Sequence, residues 1–156
     1  NNWIKNVKLS TNNKDTLFIK IEEYEPVGLY HFNNKLFYFD KDGKIIDQAN
    51  KNLNFESNLV IFYGKGSNLN AKFIIDIIEN LSFKNKFKIN RIEYINKRRW
   101  NIYLKNNVKL MLSESFPKNS LKNFIDIEKK LSKTDMNNIS NFDLRNIDKT
   151  LITYIE

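Results

Sequence analysis

The chain has 156 residues, 41% of them hydrophobic and 13% aromatic, enough apolar material for one buried core and too much for a disordered segment. It has no cysteine and a single histidine, which excludes disulfides, thiolate catalysis, iron–sulfur ligation and any zinc site built from these residues alone. A net charge of +8 points toward an anionic partner, nucleic acid or a membrane surface. The cations are dispersed, however, and the wealth of Asn, Lys and Ile matches the codon usage of an AT-rich genome, so much of this charge sits on solvated faces.

The opening "WIKNVKL" alternates as a strand does. After the polar connection "STNNKD", the stretch "DTLFIKIEEYEPV" sets Leu17, Ile19 and Ile21 on one side and Phe18, Lys20 and Glu22 on the other. Pro26, which has no amide hydrogen for a ladder, ends the run. The two segments predict an antiparallel hairpin. The chain runs into its first strand without an initiator Met, and we expect residues to precede Asn1. No apolar run approaches the roughly 18 residues of a membrane-spanning helix, and no signal-peptide pattern opens the chain.

"NKLFYFDKDGKII" predicts an aromatic strand, a turn at Asp42 and Gly43, and a return strand. The Asp-rich turn is not an EF-hand, which needs Gly at its sixth position and Glu at its twelfth. "NLVIFYG" suits a buried strand. "GKGSN" at 64–68 lacks both the dinucleotide fingerprint and the Lys-Ser/Thr end of a P-loop, and reads as a loop. Phe73, Ile74, Ile77, Ile78 and Leu81 then recur at helical period, with Asn70 as the expected N-cap.

"KRRWNIYLKNNVKLML" at 97–112 predicts a second hairpin whose loop length decides its chemistry. A two-residue loop at Asn106 and Asn107 would put its apolar sets on opposite faces, because a shift of one residue flips every side chain. A three-residue loop from Lys105 to Asn107 instead pairs Leu104 with Val108, Ile102 with Leu110 and Trp100 with Leu112, with Asn107 left-handed. That register turns Trp100 into the core, away from any role as a base-stacking platform. It leaves Tyr103 beside lysines on the other face and Arg98 at the rim. A helix follows from Pro117 to Lys130, with Leu121, Phe124, Ile125 and Leu131 on one face and Pro in its first turn. "ISNFDLRNIDKTLITYIE" closes the chain as one or two strands.

Strands, helix, hairpin, helix, strands, without regular βαβα alternation, predict an α+β fold: an antiparallel sheet with helices packed on one side. Catalytic chemistry finds no footing. Glu23 and Glu25 share a strand face and Glu22 takes the other, an edge-guarding pattern. His31, in a Tyr-His-Phe stretch, has no Ser or Asp motif beside it and reads as structural. No nucleophile, base and orienter can be named together, so no catalytic residue, cofactor or metal is expected.

In order and spacing, "WIKNVKL", "DTLFIKIEEYEPVG", "LFYFDKDGKII", "RRWNIYLKNNVKLML", a helix and "ISNFDLRNIDKTLITYIE" together resemble the FtsQ/DivIB family of bacterial cell-division proteins, in particular its proteobacterial branch. The resemblance covers nearly the whole chain. It implies that residues 1–26 are the closing strands of a partial POTRA domain and residues 27–156 the β domain that follows. It further implies a non-enzymatic protein of the inner membrane, with this segment in the periplasm at the division septum and a single membrane anchor upstream. The implied partners are FtsB and FtsL, with other division proteins reached through the POTRA region and no nucleic acid.

By the same resemblance a partner strand adds to the C-terminal edge, from Arg145 through Asn146, Asp148, Lys149, Thr150, Leu151, Ile152 and Thr153 to Tyr154, while Arg98 meets a partner carboxylate. Where some members carry a Tyr directly after the Asp143-Leu144-Arg145 signature, this chain has Asn146, which removes one aromatic anchor. Two other readings stand beside this one: a basic nucleic-acid-binding module, for which Tyr103 would be the stacking residue, and a POTRA-type outer-membrane assembly factor.

Overall fold

Alternation of side chains builds two separate β units. In the computed structural model, which describes residues 1–12, 15–49 and 59–155, β1 (Ile4–Thr11) and β2 (Leu17–Glu23) form an antiparallel two-stranded ribbon, as the opening pattern predicts. Val7, Leu9, Leu17, Phe18, Ile19 and Ile21 all lie exposed on it. The ribbon joins the rest of the chain at its base. There the Tyr24 amide donates to the Trp3 carbonyl at 2.8 Å, and the Trp3 ring packs on Tyr38 at 5.2 Å.

The remaining strands form one nine-stranded sheet in the order β11-β10-β9-β8-β7-β6-β3-β4-β5. They are β3 (Gly28–Phe32), β4 (Lys35–Phe39), β5 (Ile45–Gln48), β6 (Ile61–Tyr63), β7 (Ile89–Ile95), β8 (Arg99–Leu104), β9 (Lys109–Leu112), β10 (Ile139–Leu144) and β11 (Leu151–Tyr154). Most junctions are antiparallel, as expected. Three are parallel: β3 with β6, β6 with β7, and β9 with β10. Each parallel junction joins strands separated by intervening chain. The last two span helices, and parallel neighbours require such crossovers.

The expected turn at Gly43 is present. Gly43 sits at φ 81°, its amide donates to Asp40 O at 2.9 Å, and the Asp40 carboxylate accepts the amides of Asp42 and Lys44. The second hairpin takes its three-residue loop. Leu104 N–H reaches Val108 O at 2.9 Å, Ile102 pairs with Leu110, and Asn107 is left-handed at φ 67°. Trp100 is 3% exposed, inside the core as the register requires.

Helices α1 (Ser67–Asn80), α2 (Phe83–Lys86) and α3 (Pro117–Glu128) cover one face of the sheet. Ile74 and Ile78 of α1, Phe83 of α2, and Leu121 and Phe124 of α3 are fully buried against Phe62, Ile92, Ile102, Leu110 and Phe142. Phe124 is the hub of an aromatic cluster, with the Phe87 and Phe142 rings both 5.0 Å away. A short fourth helix, α4 (Lys133–Asn137), starts at a capping box in which Ser132 and Asp135 satisfy each other's backbone amides. A smaller cluster of Leu29, Tyr38 and Ile46 lies apart from the helix-covered core, with Trp3 and Tyr24 packed on it.

One expectation is corrected. Asn70 is not the N-cap of α1. The helix begins four residues earlier, with Gly66 as its N-cap and Ser67 as its first residue, because Gly64 (φ 99°) and Gly66 (φ 76°) turn the chain tightly enough to start it there. Asn70 lies in the first turn and donates its side-chain amide back to Gly66 O at 2.9 Å. Gly64 is also required by space: a Cβ there would lie 2.2 Å from the Tyr94 carbonyl oxygen. Helix α3 ends at Glu128 rather than Lys130, an ordinary fraying difference. Parts of the expected "STNNKD" connection (13–14), the start of "NLVIFYG" (58) and the final residue of the closing strands (156) lie outside the described residues.

Candidate functional site

Among the described residues the sheet ends at β11, which pairs there with β10 alone. Its register runs Asp143 with Leu151, Phe142 with Ile152, Asn141 with Thr153 and Ile139 with Tyr154, skipping Ser140 in a bulge. The bulge lies in β10, so the alternation of β11 itself is unbroken. Ile155 N–H donates inward to Asn138 O at 2.7 Å, and the Thr153 carbonyl faces inward to accept Ser140 Oγ at 3.0 Å. By the period of two, the N–H and C=O groups of Ile152 and Tyr154 face away from the sheet. Among the described residues they have no partner, as on an edge strand.

Side chains on β11 differ in burial. Ile152 is half-buried against the core, whereas Leu151 and Tyr154 are exposed, as is Ile155 just beyond. The strand carries its apolar surface outward, where solvent alone would not favour it.

Of the predicted site residues, only Leu151, Ile152, Thr153 and Tyr154 lie on the edge strand. Arg145, Asn146, Asp148, Lys149 and Thr150 form the connection from β10 to β11. Arg145 holds Asp143 with three hydrogen bonds, Nε to Oδ1 at 2.8 Å, Nη2 to Oδ2, and its backbone amide to Oδ1 at 3.2 Å. This contact keeps the Asp143 carboxyl below the ordinary carboxylate range and raises the guanidinium in turn. The Asn146 side chain accepts the Asp148 amide at 2.9 Å, and Asn123 Nδ2 pins Ile147 O at 3.1 Å. The connection is therefore held in one shape. Arg145 and Asn146 stand between two shallow clefts, one continuing over Lys149 and Leu151, the other over Phe116 and Ile147.

Arg98 lies in the turn from β7 to β8, at the same end of the sheet as Arg145, about 14 Å from the edge by three strand spacings. It is exposed and faces Glu114 at 3.6 Å. Sequence reasoning missed Glu114 and Asp143 as the partners of these two arginines. The pairing of Glu114 follows from the register that brings the end of β9 beside the start of β8.

On the sheet face away from the helices, Arg91 Nε meets Glu93 at 3.2 Å, Tyr103 Oη donates to Glu93 at 2.8 Å, and the Arg91 guanidinium lies 3.8 Å over the Tyr103 ring. Burial, followed by the bond to Glu93, pushes the Tyr103 hydroxyl up. Tyr103 is thus occupied by its neighbours. His31 stacks on Tyr63 at 4.6 Å. Among the described residues, no three His, Cys, Asp or Glu side chains gather to hold a metal ion, and no helix is long and apolar enough to cross a membrane.

Fold and edge define a class of protein: a mixed α+β sheet domain, entered through an exposed two-stranded ribbon and ending in an open, apolar edge strand. Known sequences sharpen the class. The model of the family "Cell division protein FtsQ/DivIB, C-terminal" matches residues 29–145, ending just before β11. The chain is similar to the cell division protein FtsQ of Rickettsia felis, 31% identical over 153 residues that make up 97% of this chain and 55% of that protein. The FtsQ of Rickettsia prowazekii is 32% identical over 151 residues, 96% of this chain and 54% of that one. The FtsQ of Bartonella bacilliformis is 25% identical over 153 residues, 97% and 48% of the two chains. The chain spans about half the length of these relatives, and it belongs to the FtsQ/DivIB family of cell division proteins.

Proposed function

We propose that this chain is the periplasmic part of a non-enzymatic scaffold of the division septum, which captures FtsB, and FtsL with it, by adding a partner strand to β11. Residues 1–26 are, on this reading, the closing strands of a POTRA domain that meets other division proteins, and residues 27–156 the β domain that holds the strand. The observation that carries the proposal is the outward backbone of Ile152 and Tyr154 on an edge strand with exposed apolar side chains.

The magnitudes fit a reversible complex. Each of those two residues offers one N–H and one C=O, and at roughly 0.5 to 1.5 kcal/mol net per bond the four groups supply about 2 to 6 kcal/mol. Micromolar binding needs about 8 kcal/mol. Leu151, Tyr154 and Arg98 are placed to contribute the difference: two apolar contacts beside the added strand, and a cation at the same sheet end.

Titrating FtsB's periplasmic segment onto the chain and onto the Arg98→Glu variant by calorimetry tests the partner assignment. Saturable binding that weakens at least fivefold in the variant supports it. No heat with the wild-type chain overturns it.

A further inference from the structure

We propose that a second docking groove, separate from the edge strand, takes an acidic peptide segment carrying one bulky apolar side chain. It neither uses β11 nor depends on strand addition. The parallel strands β3, β6 and β7 end together at one end of the sheet, where β3, the β6–α1 loop, the first turn of α1, the end of β7 and the turn after it line a groove of about 530 Å³. In mixed sheets the carboxyl ends of neighbouring parallel strands are where clefts form.

One wall is made by Tyr30 and Phe32, successive same-face residues of β3 whose rings lie 5.9 Å apart at 15°. Leu69 on α1, 69% exposed, and Tyr94 at the end of β7 close the other sides. Lys65 and Lys97 stand at the rim, and among the described residues no carboxylate lines the groove. Both lysines are exposed, and neither forms an ion pair among the described residues. An apolar floor edged by two unopposed cations is complementary to an apolar side chain flanked by Asp or Glu.

The groove is built in advance of any ligand. Asn96 and Lys97 both hold left-handed conformations in a turn closed by Arg98 N–H to Ile95 O at 3.1 Å. Tyr94 Oη donates to Lys97 O at 2.7 Å and fixes the lysine's backbone, while its ring stacks on Trp100 at 4.3 Å. Gly64, where a side chain would collide with the Tyr94 carbonyl, lets the β6–α1 loop sit close to that strand. A walled groove of this kind spares a ligand some of the ordering cost of binding.

A nucleic acid fits less well. Tyr30 and Phe32 spend a ring face on each other and Tyr94 spends one on Trp100, whereas single-strand binding needs free ring faces in succession along a longer run of cations. Lys97 directly precedes Arg98, so an acidic partner lying across this end of the sheet would meet both the groove and that arginine.

The test is selection from a random twelve-residue peptide library on the chain, with counter-selection on a Lys65→Glu/Lys97→Glu variant whose melting temperature confirms folding. Counter-selection removes peptides that bind the edge. The proposal expects survivors with two or more Asp or Glu around a Phe, Trp or Leu. Their affinity should fall at least tenfold in the double variant, fall again in Leu69→Ser, and hold in Ile152→Pro. Survivors that are neutral or basic, or an empty pool after counter-selection, would overturn it. So would a dT12 oligonucleotide that competes with the peptides and itself loses affinity in the double variant.

Discussion

Arg145 and Asp143, two residues apart at the end of β10, form a fork in which one guanidinium covers a carboxylate that is only 13% exposed. Asp143 is also the residue that pairs with Leu151, the first residue of the edge strand. The fork thus ties the connecting bend to the start of β11. Asp143→Asn should weaken it, costing about 1 kcal/mol because the arginine is half-exposed and its charge well screened. Urea denaturation measures the loss. Faster amide exchange at Leu151 and Ile152 should accompany it.

The same pair gives a pH dependence with a definite sign. Asp143 is held below its ordinary value of 3.8, so its contribution is fully present above that pH and is lost as pH falls through the lower folded-state value. Wild type should therefore lose stability more steeply than Asp143→Asn on acidification from about pH 4 downward. Parallel slopes for the two proteins would show that the fork adds nothing.

Arg98 and Glu114 present the opposite case. At 3.6 Å, with both side chains more than half exposed, their pair contributes about 0 to 1 kcal/mol, and Glu114→Gln should leave stability within about 0.5 kcal/mol of wild type. If Arg98 is a partner contact, Glu114 competes for it. The Glu114→Gln variant should then bind FtsB two- to threefold more tightly, read by calorimetry at low salt.

How far this structure was legible in the sequence differs from residue to residue. The hairpin register around Leu104 and Val108 followed from period-two alternation once the two-residue and three-residue loops were compared, because the two-residue loop would have split the apolar set between two faces. The helix-covered core followed from the spacing of Ile74, Ile77, Leu121 and Phe124. The parallel junctions did not. Which strands a crossover brings together depends on helix packing against the sheet, not on a local pattern. Nor could alternation alone show that Ile152 and Tyr154 face their backbones outward, since the bulge at Ser140 shifts the pairing. Asn70 was misplaced because a capping residue type outweighed two glycines that move the helix start. Arg98 and Arg145 were visible as candidate contacts, but their carboxylate partners were not, because an arginine's neighbour across a sheet is fixed by register.

The left-handed Asn107 offers a further test of the hairpin. At φ 67° a β-branched side chain meets the following carbonyl, so Asn107→Val should cost about 1 to 2 kcal/mol in thermal or chemical unfolding. An Asn107→Gly variant should lose far less.

Phe124 probes the core that holds β10, and through it the edge, in place. It is fully buried among Phe83, Phe87 and Phe142, so Phe124→Ala should cost about 3 to 5 kcal/mol. Phe124→Leu, which keeps most of the volume, should lose less and leave partner binding unchanged at temperatures where the protein is folded.

The most direct test of strand addition is the affinity of FtsB's periplasmic segment for Ile152→Pro and Tyr154→Pro, measured beside wild type on chains shown to be folded. Both substitutions remove an outward N–H and leave the inward ladder of Thr153 and Ile155 intact, as edge strands tolerate. Strand addition predicts at least a tenfold loss of affinity in each. Undiminished binding by folded proteins carrying either proline would contradict it.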